Sequence, residues 1–234
     1  MKGTLINTAT VTAGAAVGYT VGRFLPPSYQ QVAIEGVGLV VSLIGVKMFF
    51  ASKNAVISVA AIALGGMIGA GLGIAPALAN FADWMKTTLG GGGHFTDAII
   101  TTTVLYCVGP MTLLGCLQDG IEGKTELLIV KSTLDGITAI FFTATMGPGV
   151  FVTALILLLL QGSLTLLARR LQRLAKDENL IAEASAVGGA LMLAIGLGVL
   201  GIKKIHAETY LPALILAPAF AALAEAVQKR RKGS

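Results

Sequence analysis

The sequence predicts an all-α polytopic membrane protein of about eight transmembrane helices arranged as an inverted repeat with Gly-Pro broken helices. Three observations carry that prediction. Only 12% of the 234 residues are charged while 55% are hydrophobic, and a soluble domain carries about 25% charged residues. Mean hydropathy is +0.82. Glycine is abundant (30 residues) and aromatics make up only 6%, the composition of helices that pack closely through small residues in a bilayer.

A transmembrane helix needs about 20 mostly apolar residues. Residues 4–24, 32–51, 55–75, 96–117, 127–146, 149–168, 181–202 and 210–227 meet that need, giving eight spans, or seven if one is re-entrant. The first stretch follows Lys2 but is rich in Thr and Gly and lacks a leucine-rich core, so it reads as a span and not as a cleaved signal. Residues 77–89, with Asp83, Lys86 and the single tryptophan Trp84, read as an interfacial helix, since tryptophan suits the headgroup level. Gly90 to Gly93 form a loop or hinge. The chain is one transmembrane domain over 1–234. Its parts are a first repeat unit (1–76), the interfacial helix and glycine loop (77–94), paired Gly-Pro spans (95–148), a second repeat unit (149–228) and a basic tail (229–234).

Eight spans with both termini in the cytoplasm place 13 of the 17 basic residues inside and four (Arg23, Lys86, Lys203, Lys204) outside. That is the positive-inside bias of a multi-pass membrane protein with cytoplasmic termini. It also accounts for the net charge of +5 without a nucleic-acid partner. Cys107 and Cys116 are nine residues apart in one apolar segment, too far for a disulfide within a helix. The two cysteines and His94 and His206 give no metal-ligand spacing. There is no nucleophile-base pair, phosphate loop or HExxH arrangement, so the chain reads as no enzyme and needs no cofactor; Na+ or H+ is the candidate coupling ion.

Two internal matches point to inversion. GLVVSLIG (38–45) and GALMLAIG (189–196) align at an offset of 151, pairing spans 1–3 with spans 6–8. D-A-I-(x)9-G-P (97–110) and D-G-I-(x)9-G-P (135–148) align at an offset of 38, pairing span 4 with span 5. In each case the copies enter the membrane from opposite sides, as in many secondary transporters.

The polar and broken positions are the candidate binding residues. Gly109-Pro110 and Gly147-Pro148 free backbone carbonyls that must find partners in protein, water or an ion, and symmetric breaks point to a transport site. Either break alone also reads as a kink tolerated by packing. Asp135 lies about eight residues into span 5, where a carboxylate costs about 2.5–3.5 kcal/mol. Lys131 stands one turn earlier on the same face. Two readings stay open: a neutralising intrahelical ion pair, or a cation or proton acceptor with Lys131 as counter-charge. Asn7 in span 1 and Gln161, the lone amide of a leucine run, are costly to bury, and Gln161 also reads as helix-helix glue. Gln118 and Asp119 end span 4 and equally read as a polar span end. Thr112 belongs to a threonine set whose hydroxyls often bond back to their own helix.

GTLINTATVTAGAAVG, EGVGLVVSLIG, VGPMTLLGCLQDG and KSTLDGITAIFFTATMGPGV together resemble a bacterial inner-membrane family known as domain of unknown function 554. The resemblance covers nearly the whole chain. Its recognisable motifs match Gly109, Pro110, Gln118, Asp119, Gly120, Lys131, Ser132, Asp135, Gly136 and Gly147. The family is commonly labelled a membrane transport protein, without a substrate. The expected activity is ion- or proton-coupled secondary transport of a small solute or ion, with the lipid bilayer as surroundings. Rival expectations are a passive channel and a non-transporting sensor or scaffold. Gly65, Gly66, Gly69 and Gly73 would permit a homo-oligomer, dimer or higher.

Overall fold

The protein is described by a computed structural model covering residues 1–22, 24–168, 170 and 177–232, without the side chains of 110 and 228–232. Arg23, Arg169, Arg173 and Lys176 of the charge bias lie outside the described residues. Among the described residues the chain is helical throughout: α1 (Lys2–Gly22), α2 (Pro27–Phe49), α3 (Ala55–Gly71), α4 (Ile74–Leu89), α5 (Phe95–Cys107), α6 (Pro110–Ile121), α7 (Glu126–Met146), α8 (Gly149–Leu166), α9 (Glu178–Val199), a 3-10 turn (Ala207–Tyr210) and α10 (Ala213–Lys232). By length and apolar composition five of these segments can cross a membrane, or up to seven if each of two bent pairs is one span. The five are α2, α7, α8, α9 and the stretch Ala207–Val227. Their apolar side chains do not all turn inward: Val32, Leu39, Val40 and Leu43 of α2 are exposed, a patch that a bilayer covers and water does not.

The fourth predicted span is two helices. α5 and α6 meet at 58°. Gly109 there has φ 141° and ψ 157°, a backbone open to glycine, and the residue before a proline is steered away from helix. Gly147-Pro148 behaves differently. It separates α7 from α8, with Gly147 at φ 90° closing the first. The predicted third span is shorter than 55–75, because Gly73 at φ 64° ends it and opens α4 at 56° to α3.

The helices run between two ends of the bundle. α1 lies parallel to α7: Gly3 faces Leu128 at one end and Gly22 faces Ala144 at the other. The contact is close because Gly14 and Gly18 sit directly on the Gly136 and Ile140 carbonyls, where a Cβ would collide. α8 is antiparallel to α1, with the Thr4 and Thr165 hydroxyls 3.1 Å apart near the chain start and Tyr19 edge-on to Phe151 at the far end. α5 starts at the far end beside α8, its Thr102 hydroxyl 2.7 Å from that of Thr153, and α6 finishes at the near end, Gly120 against Thr165. α2 and α9 are antiparallel, with Gly38 opposite Gly196 and Gly45 opposite Gly189. α3 rises from the near end to place Gly69 on the Thr209 carbonyl. α10 returns, its Glu225 accepting from Asn179 Nδ2 at 2.5 Å. α4 stays at the far end, where its Asp83 accepts from Thr96 Oγ1 at 2.6 Å and its Lys86 donates to the Gly93 carbonyl at 3.4 Å.

Candidate functional site

The α1–α7–α8 contact encloses a polar cluster. Lys131 and Asp135 share a face of α7 at a spacing of four, and Lys131 Nζ lies 2.5 Å from Asp135 Oδ2. Asn7 of α1 donates through Nδ2 both to the same carboxylate oxygen at 3.1 Å and to Gln161 Oε1 of α8 at 3.2 Å. Asn7 and Gln161 are fully buried, and Lys131 and Asp135 each keep 6% exposure. Asn7 thus links the α7 ion pair to Gln161 of α8, and the glycine contacts between α1 and α7 bring the asparagine within reach.

The cluster is not closed upon itself. Among the described residues, Asn7 Oδ1 and Gln161 Nε2 are buried without a hydrogen-bond partner. Leaving such a group unpaired costs about 1–3 kcal/mol, so the pair offers the Asn7 carbonyl as an acceptor and the Gln161 NH2 as a donor group to a small polar guest. Tyr106 of α5, fully buried, sets its ring centroid 6.0 Å from Lys131 Nζ, and Thr138, one turn past Asp135, donates to its hydroxyl at 3.2 Å.

The other predicted residues spread out from this centre. Asp119 is buried at the near end, accepting from Gly3 N at 3.1 Å, and lies 3.0 Å from the Met1 amine. Thr112 donates to the Tyr106 carbonyl at 3.2 Å, satisfying one carbonyl freed by the Gly109 break. Ser132 bonds back to the Leu128 carbonyl at 2.6 Å. Gln118 is half-buried, and its backbone carbonyl receives Glu122 N at 2.9 Å. Gly109 packs near Met48 and Gly188; the Pro110 ring lies outside the described residues. Gly147 and Pro148 lie about 18 Å along α7 from Asp135 at 1.5 Å per residue, so that break supplies no contact to the carboxylate. Asp97, matched to Asp135 in sequence, sits half-exposed at the far end, 2.6 Å from Lys204 and 3.5 Å from His94.

A cavity of about 790 Å³ opens at the far end. Ile34, Ile100, Val104 and Ile195 form apolar wall, and Asp97 and Lys204 stand among its polar groups. Asp135 is not part of the wall; the lining reaches Val104, two residues before Tyr106.

Sequence reasoning missed two buried carboxylates. Glu183 of α9, 1% exposed, accepts 2.8 Å bonds from Ser52 Oγ, Ser58 Oγ, Lys53 N and Asn54 N, tying the α2–α3 turn to α9. It stands two residues inside the predicted span 181–202, close enough to the border to read as a polar span end. Glu208 of the 3-10 turn lines the cavity and meets His206 Nδ1 at 2.8 Å. It falls between predicted spans and carried no signal.

Fold and cluster define a polytopic α-helical membrane protein with a hydrogen-bonded ion pair inside its bundle. The chain belongs to the family described as "Protein of unknown function (DUF554)", which matches residues 2–222. It is 30% identical over 222 residues to the uncharacterized membrane protein YdfK of Bacillus subtilis (strain 168), covering 93% of this chain and 94% of that one. It is 31% identical over 221 residues to the uncharacterized protein YqgA of Escherichia coli (strain K12), covering 92% and 94%. No solved structure matches the chain.

Proposed function

We propose that the protein is a secondary transporter, not an enzyme, crossing the bacterial inner membrane eight times with both termini in the cytoplasm. The direction of each helix supports eight passes. α1, α3, α7 and α9 run from the near end to the far end, and α2, the α5–α6 pair, α8 and α10 run back, while α4 stays at the far surface. α1 joins the set despite its threonines and Asn7 because it lies between α7 and α8. Lys2, Lys47, Lys53, Lys124 and Arg170 fall at the near end and Lys86, Lys203 and Lys204 at the far end, which favours the near end as cytoplasmic.

An inverted repeat is supported by the α2–α9 contact. Exchanging each residue with its match 151 positions away turns the Gly38/Gly196 contact into the Gly189/Gly45 contact. The helices paired by the repeat, α1 with α8, α2 with α9 and α3 with α10, also pack on one another. Inverted repeats of this kind set a transport site near the midplane between the two units.

The observation that carries the transport reading is the pairing of a far-end cavity with a buried ion pair that holds open hydrogen-bond valences deeper in the bundle. In this state the far side is open and Lys131 occupies Asp135. A coupling proton or cation replacing Lys131 at the carboxylate would free the ammonium and let α7 shift against α1. Uptake into proteoliposomes under imposed proton or sodium gradients tests this. Gradient-driven uptake should be lost in Asp135→Asn, and equal flux in both proteins would remove the site.

A second reading is favoured by one specific observation: the ion pair is closed and stands outside the cavity wall. A non-transporting scaffold would use Lys131 and Asp135 to fix α7 in the bundle, and would show no gradient-driven flux at all.

A further inference from the structure

We propose that the far-end cavity is a binding site for a monovalent organic cation with an apolar body, held through Glu208. The proposal rests on the transport reading only for the cavity's purpose; the chemistry stands on the wall itself. Its volume of about 790 Å³ is in the range of small-molecule sites, which are mostly apolar with a few convergent polar groups. Ile34, Ile100, Val104 and Ile195 supply the apolar part. Among the described residues of the wall, Asp97 and Glu208 carry carboxylates and Lys204 an ammonium.

The two carboxylates are not equivalent. Asp97 is half-exposed and already joined to Lys204 at 2.6 Å. Glu208 has a side chain only 6% exposed, and its partner is the imidazole of His206, 62% exposed, at 2.8 Å. A buried carboxylate held by a surface histidine is a cation site with a removable plug. An incoming cation pairs with Glu208 and His206 swings to solvent; a protonated His206 competes for the same oxygen. His94, Asp97 and Lys204 are the other titratable groups on the wall among the described residues. Helix ends do not by themselves favour a cation: the N-termini of α2, α4 and α5 reach the cavity against the C-termini of α7 and α9, with Asp97 in the first turn of α5. Dipole effects fade within a turn, so the full charge on Glu208 decides.

Two ions of the same shape and opposite charge test the assignment. Tetraphenylphosphonium and tetraphenylborate are titrated by equilibrium dialysis against the purified full chain in detergent. The wild type should bind the phosphonium saturably and at least about tenfold more tightly than the borate, since about 1.4 kcal/mol is a factor of ten. Glu208→Gln should weaken phosphonium binding by that factor, His206→Ala should leave it equal or tighter, and Lys204→Gln likewise. Equal binding of both ions, no saturable binding of either, or unchanged affinity in Glu208→Gln overturns the proposal. If Glu208→Gln does not fold, the wild-type comparison of the two ions still decides. Saturable phosphonium binding by a protein that moves nothing in proteoliposomes would keep this assignment and remove the transport reading.

Discussion

Asn7 reaches Asp135 across 128 positions of sequence, its Nδ2 3.1 Å from the carboxylate oxygen that Lys131 also holds. The first helix therefore completes the polar centre of the seventh. Breaking a buried pair by removing one partner costs about 3–5 kcal/mol, while replacing both by apolar groups is often neutral or stabilising. Lys131→Met should destabilise the bundle by about 3 kcal/mol or more, and Lys131→Met with Asp135→Leu should recover most of that. Thermal unfolding in detergent reads both; a double variant as unstable as the single one would deny that the two charges are a unit.

Gly14 faces the Gly136 carbonyl with no room for a Cβ, whereas Gly36 on α2 has open space around it. Overpacking costs about 1–3 kcal/mol, and an exposed helical glycine is about 0.8–1 kcal/mol worse than alanine. Gly14→Ala should therefore lower the melting temperature and Gly36→Ala should leave or raise it. The same change having the same effect at both positions would mean that α1 and α7 do not touch as described.

Glu183 holds the Lys53 and Asn54 N–H groups and the Ser52 hydroxyl of the α2–α3 turn, and the Ser58 hydroxyl of α3. In Glu183→Ala each N–H left unpaired should cost about 1–3 kcal/mol, and amide hydrogen exchange should accelerate at residues 52–54 before it does in α5. Unchanged protection there would show that the turn is held by something else.

Single cysteines on a background with Cys107 and Cys116 replaced by alanine read the topology. Lys53→Cys should react with a membrane-impermeant maleimide only from the cytoplasmic face, and Lys203→Cys only from the opposite face. Labelling of both from one side contradicts an odd number of crossings between them.

How much of this was legible beforehand depends on which physical rule each residue obeys. Lys131, Asp135, Asn7 and Gln161 are polar groups in apolar runs, and burial cost marks them without coordinates. Gly109-Pro110 announces its break through backbone sterics. The match between Asp97 and Asp135 carries no common surroundings, because a shared spacing to Gly-Pro fixes distance along the chain but not which neighbour a helix face meets. Asp97 meets Lys204 and stays half-exposed; Asp135 meets α1. Glu183 was within reach of the cost argument but stands close enough to a span end to pass as its border. Glu208 depends on how residues 200–212 fold back over α3 and α4, and nothing local encodes that.

Access to the cluster from alternate sides is what separates a transporter from a closed bundle. Spin labels at Gln31 and Lys204, which both face the cavity, and at Lys53 and Lys124 at the near end give two distances by pulsed electron resonance in lipid nanodiscs. In Asp135→Asn, which mimics the carboxylate with its charge removed, the far-end distance should shorten and the near-end distance lengthen relative to wild type. Two distributions that stay the same in both proteins would contradict the account.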